Sequence, residues 1–175
     1  MKFRNKIFNW SVVALLLLGS APARAQGHAS NNNHLNMSVA YLYERGLDAT
    51  IAVEHEVKYH NAWEYFGTIY TKYSKDPDAG HYTRSSFWTD YNTWHLGIAY
   101  KPCVSRGRNH HGNLRLGVSG GSDLDKINGG IHLGYEHSYA LKGKFELFFQ
   151  VKEDVIIKGK DIARTGIALG FKVPL

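Results

Sequence analysis

From His34 to the C-terminus the sequence alternates, apolar then small or polar, with a period of two, and this excludes most folds. Such alternation makes strands with two unlike faces. About eight runs show it, most of them near the 9–11 residues that a tilted membrane-spanning strand needs. Met37, Val39, Tyr41 and Tyr43 line the first, and Arg45-Gly46-Leu47-Asp48 reads as the turn after it. Ile51, Val53, Val57 and Tyr59 line the second, ending at His60-Asn61, and Trp63, Tyr65, Ile69 and Tyr73 the third. A polar stretch at 74–90, with Pro77 and Gly80, reads as a long loop.

The later runs are cleaner. Trp94, Leu96, Ile98 and Tyr100 form a fourth face, closed by Pro102, and a loop is expected at 105–113. Leu114, Leu116 and Val118 follow, then a turn at 123–128 and a strand carrying Ile131, Leu133, Tyr135 and Tyr139. Lys142-Gly143-Lys144 turns into Phe145, Leu147, Phe149 and Val151. Residues 158–161 lead to Ile167, Leu169, Phe171, Val173 and Leu175. No segment is a convincing amphipathic helix. Evenly spaced, short-linked strands predict an all-β fold, an antiparallel up-and-down barrel or a sandwich.

The second face distinguishes the membrane form from the soluble one. It holds His95, Gly97, Ala99 and Lys101 on the fourth run, and Arg115, Gly117 and Ser119 on the fifth. On the sixth it holds His132, Gly134, Glu136 and Ser138, and on the last Arg164, Gly166, Ala168, Gly170 and Lys172. Glycine and alanine weaken a strand whose face is in water, but they suit the crowded interior of an eight-stranded barrel. The bulky face then points outward, an apolar belt between aromatic girdles, as in outer-membrane barrels. His55 on the apolar face and Phe66, Tyr70 and Phe148 on the other break the pattern. They leave open a bulge, a shifted register or a loop-level position.

Residues 1–25 read as a secretory signal: Lys2, Arg4 and Lys6, then the apolar Ser11–Gly19, then Ala23-Arg24-Ala25 before Gln26. The organisation expected is a leader at 1–25, a lead-in at 26–33 and a barrel at 34–175, exported to the outer membrane and surrounded by its lipid. The leader also carries much of the positive charge. Of 21 Lys and Arg against 15 acids, four precede residue 26 with no acid, leaving 17 against 15. That balance gives no reason to expect direct nucleic-acid binding. A single cysteine, Cys103, excludes an intrachain disulfide and a multi-thiolate zinc site.

An inward second face would bury Arg115, Glu136, Glu146, Gln150, Lys152, Arg164 and Lys172, and buried ions must be paired. A structural charge network in the lumen is therefore expected. The densest basic stretch, Arg106, Arg108, His110 and His111, counts to the periplasmic side and could meet an acidic partner. No catalytic site is expected. His137 and Ser138 are adjacent in a strand, so they face opposite ways and cannot form a nucleophile–base pair. His110-His111 is a weak metal signal, Cys103 reads as an inert thiol, and no cofactor is expected.

Several segments together resemble one family. Asn92-Thr93-Trp94, Tyr100-Lys101-Pro102-Cys103-Val104, Arg106-Gly107-Arg108-Asn109 and Gly134-Tyr135-Glu136-His137 with Tyr139-Ala140-Leu141 are its first parts. Gln150-Val151-Lys152-Glu153-Asp154 and Arg164-Thr165-Gly166 complete it. Over residues 90–175 the chain is similar to the TraO conjugal-transfer proteins of Bacteroidota conjugative transposons. The resemblance implies a structural role in the envelope part of a mating apparatus, among other apparatus proteins, and supplies no active site. Two other readings stay open: a small lipid-modifying outer-membrane enzyme, and a secreted soluble barrel that binds a small apolar ligand.

Overall fold

The computed structural model describes residues 33–43, 45–72, 78, 80–81, 92–123, 126–141, 145–158 and 162–175. The leader, the lead-in before Asn33, Tyr73, most of the loop at 74–90 and the turn at 142–144 lie outside the described residues. So do parts of the turns at 123–128 and 158–161.

Nine strands form one antiparallel sheet: β1 (Asn33–Leu42), β2 (Gly46–Glu56), β3 (Ala62–Lys72), β4 (Asn92–Lys101), β5 (Cys103–Arg106), β6 (His110–Ser122), β7 (Ile127–Ala140), β8 (Glu146–Ile157) and β9 (Ala163–Pro174). Proline has no N–H to give to the ladder, so Pro102 breaks one stave into β4 and β5, and both pair with β6. β1 pairs with β9, which closes a barrel of eight staves. Pairing runs from Asn36 through Ala52, Phe66, Gly97, Ser119 and Gly130 to Ile156. The Ile156 N–H then reaches the Ile162 carbonyl, while Asn36 itself pairs with Lys172, ten residues on (162 to 172). Eight staves with that stagger tilt by about 40°, so strands of this length stand roughly 25–30 Å tall.

The bulky face is outside. Val39, Ile51, Ile69, Leu96, Val118, Ile167 and Leu169 are all more than half exposed, and Tyr41, Tyr43, Trp63, Trp94 and Tyr139 lie near the strand ends. Leu96 at 63% and Ala99 at 1%, three residues apart, show how sharply the two faces divide.

Phe66, Tyr70 and Phe148, which broke the sequence pattern, are in register and buried in the lumen. They fill the room that inward glycines leave. A Cβ on Gly97 would lie 2.5 Å from the Phe66 ring, one on Gly170 2.5 Å from the Phe148 ring, and one on Gly46 2.4 Å from Tyr70. Phe66 and Phe148 are also the direct cross-strand partners of Gly97 and Gly170. His55, on the outer face, hydrogen-bonds Asn33 at 2.6 Å across the β1–β2 pair.

Four expected boundaries move. β1 ends at Leu42 and β2 begins at Gly46, so Gly46, Leu47 and Asp48 are already strand, and Asp48 is buried. β2 ends at Glu56, which leaves Val57 and Tyr59 outside it; Lys58–His60 form a tight 3-10 turn with Tyr59 and His60 at positive φ. The loop expected at 105–113 shrinks to 107–109, because Gly107 N–H donates to the His110 carbonyl at 2.8 Å and β6 starts at once. At the start of β7, Ile127 and Asn128 are strand as well.

Candidate functional site

The lumen holds two polar networks, one toward the end that carries the termini and one toward the opposite mouth. The first has a member on every stave. Lys101, with no exposure, reaches Glu136 at 2.6 and 2.7 Å, Glu64 at 3.2 Å, and Glu54. Lys172 bridges Glu54 at 2.8 Å and Glu136 at 2.9 Å and approaches Glu146 at 3.7 Å. Arg115 binds Glu64 at 2.8 Å, and Asn36 donates to Glu54 at 2.9 Å. Its three cations face Glu54, Glu64, Glu136 and the partly buried Glu146. Each ion is therefore compensated, as burial requires.

The second network links Asp48, Lys152, Asp154, His132, Ser119 and His95. Lys152 Nζ bridges Asp48 at 2.5 Å and Asp154 at 2.8 Å. Asp154 Oδ1 lies 2.7 Å from His132 Nδ1, His132 Nε2 lies 2.7 Å from Ser119 Oγ, and Ser119 Oγ lies 3.1 Å from His95 Nδ1. The carboxylate can only accept, so His132 carries its proton on Nδ1 and takes the Ser119 hydroxyl proton on Nε2. Ser119 Oγ then accepts from His95, which leaves His95 Nε2 as a bare acceptor. That atom is buried without a partner, and so are both side-chain polar atoms of Asn128.

Of the seven residues expected in a lumenal network, Arg115, Glu136, Glu146 and Lys172 belong to the first and Lys152 to the second. Arg164 sits near the mouth, 3.7 Å above the Tyr70 ring and 3.3 Å from Thr93 Oγ1. Gln150 is buried in the lumen, but its Nε2 has no hydrogen-bond partner. Sequence reasoning missed Asp48, Glu54, Glu64 and Asp154. Their signal was parity: 48, 52 and 54 alternate against the outward Ile51 and Val53, as 64 does against Trp63 and Tyr65.

The basic stretch at the terminal rim does not form one patch. His111 turns inward, stacked on His60 with ring centroids 4.6 Å apart, and His110 turns outward against His137 at 5.1 Å. The Arg106 guanidinium is used within the fold, donating to the Tyr59 carbonyl and, at 3.2 Å, to Cys103 Sγ. Of the four, Arg108 and His110 are exposed. Ser138 is buried in the lumen beside Glu136, and His137 faces outward with Tyr135 Oη 2.9 Å from its Nδ1. Among the described residues no group of three or more His, Cys, Asp or Glu is placed to hold a metal ion.

Among solved structures, Neisserial surface protein A matches with a TM-score of 0.59 over 85% of this chain and 99% of that one, at 15% identity. A structure from the de novo design of transmembrane β-barrels matches with a TM-score of 0.52 over 86% and 100%, at 11% identity. This is the fold of an outer-membrane-type β-barrel. No protein-family model and no curated protein matches the chain. Within the barrel, Phe66, Phe148 and the first network fill the lumen, so the terminal half has no open channel among the described residues.

Proposed function

We propose that the chain is an outer-membrane β-barrel and that it serves conjugative DNA transfer as a structural component of the envelope machinery. One observation supports the membrane placement above all: the large apolar side chains ring the outside, while the ions pair with one another inside. A barrel in water would expose bulky apolar groups from every stave in one continuous band, far more than a soluble surface carries. The transfer role rests on the similarity of residues 90–175 to the TraO proteins. A filled lumen favours an anchoring or scaffolding part over a conduit for DNA. Other apparatus proteins are the expected partners, and the terminal rim with Arg108 and His110 is the polar surface open to them.

Two experiments test this. Membrane fractionation should recover the mature protein with outer-membrane porins, and recovery in the soluble periplasm overturns the placement. Deleting the gene from a donor should lower mating frequency at least about tenfold, with rescue by a plasmid copy. An unchanged frequency removes the transfer role.

A further inference from the structure

We propose that Ser119, His132 and Asp154 form a serine-hydrolase centre for a slender carboxylic ester that enters through the mouth opposite the termini. Three strands bring the residues together, and the two bonds that define such a centre, Oγ to Nε2 and Nδ1 to Oδ1, are both 2.7 Å. The second carboxylate oxygen of Asp154 is held by Lys152, so the aspartate is fixed as the group that orients His132. His95 donates to Oγ from the other side and holds the serine rotamer toward His132. These are geometric requirements of nucleophilic catalysis, and ordinary lumen filling does not need them all at one hydroxyl.

Register and access agree with this assignment. Ser119 is three residues from the end of β6 at Ser122, about 8 Å below the rim at this tilt, and it keeps partial exposure. A Cβ on its cross-strand partner Gly130 would lie 2.7 Å from Oγ and 3.0 Å from His132 Nε2. The space beside Gly130 is taken by Ser119 Oγ, His132 Nε2 and, at 3.1 Å, Ile156 Cδ1, so glycine at this position is what lets the reacting pair meet. One register step toward the mouth on the same strand stands Asn128, buried, with both amide atoms unpartnered. An amide N–H donor there is suited to a developing oxyanion.

The chemistry balances with water as the co-reactant. Ser119 Oγ bonds to the ester carbonyl carbon as its proton passes to His132 Nε2. The carbon–oxygen bond to the alcohol breaks, and the alcohol leaves with that proton. Water then bonds to the acyl carbon, giving a proton to His132, and the carboxylic acid leaves as the proton returns to Ser119. His95 and Asp154 are positioning residues throughout.

The test uses the full mature chain folded in detergent, its folding checked by heat-modifiable gel mobility. A fluorophosphonate probe should attach once per chain at Ser119, and p-nitrophenyl butyrate should be hydrolysed. Ser119→Ala should abolish attachment and lower hydrolysis about 10³-fold or more. This variant removes one oxygen and should fold, so it stays informative if His132→Gln does not. Asn128→Ala should lower hydrolysis about 10²-fold while probe attachment persists, a split that a purely structural amide would not produce. The proposal is overturned if the folded wild type takes no probe, if the probe maps elsewhere, or if its hydrolysis matches that of Ser119→Ala.

Discussion

The two halves of the lumen use the same residue types to opposite ends. Toward the termini, Lys101, Lys172 and Arg115 are each matched by carboxylates, and the network crosses every stave. Toward the mouth, the chain from Asp48 to His95 runs in one direction and stops at an imidazole nitrogen with nothing to accept. The first arrangement closes a ring of paired ions around the cylinder; the second is an open chain. Unpartnered buried polar atoms occur in both halves, Asn36 Oδ1 and Asn113 Oδ1 toward the termini and His95 Nε2 and the Asn128 amide toward the mouth. What separates the halves is the ordering of the groups: ions paired all round the barrel at one end, and at the other a directed carboxylate–imidazole–hydroxyl chain.

Substitutions can break this contrast, starting with the strongest. Lys101→Met leaves Glu54, Glu64 and Glu136 crowded around an apolar side chain, and removing one partner of a buried ion pair costs about 3–5 kcal/mol. Urea unfolding in detergent micelles, followed by tryptophan fluorescence, should show a loss of that size, or a chain that fails to refold. Gly97→Val drives a side chain into the Phe66 ring and should cost about 1–3 kcal/mol. Adding Phe66→Ala should return part of it, so a double-mutant cycle with zero coupling would contradict the ring-into-glycine packing. Ser119→Ala leaves His132 Nε2 and His95 Nδ1 buried without their partner and should cost about 1–3 kcal/mol in the same assay, less than the terminal-end change. Smallest is Asn128→Leu: an amide with no partner has no hydrogen bond to lose, so stability should stay within about 1 kcal/mol or rise. A large loss there would mean that the mouth half is as tightly satisfied as the other.

The barrel was legible because period two survives every local disturbance. Trp94, Leu96, Ile98 and Tyr100 against His95, Gly97, Ala99 and Lys101 name both faces without any coordinates. Phe66, Tyr70 and Phe148 were illegible as lumen residues because each makes sense only beside a glycine on another strand. Asp48 was hidden by Gly46, which looks like turn punctuation but sits inside β2 to make room for Tyr70. The Ser119–His132–Asp154 constellation was out of reach for a related reason. Its members come from three strands, and a diagonal step from Ser119 past Gly130 to His132 depends on a pairing register that no single strand announces.

The network that touches all eight staves also has a consequence for biogenesis. Lys172 on β9 meets Glu54 on β2, two staves away across the β1–β9 seam, so that contact exists only once the cylinder has closed. A half-curled sheet pushed into hydrocarbon would present bare ammonium and carboxylate groups to the lipid, at a cost of several kcal/mol apiece. On the proposed membrane placement, curling and insertion proceed together, with the ions kept wet until the last seam zips. A variant stalled before that step would accumulate outside the bilayer rather than within it.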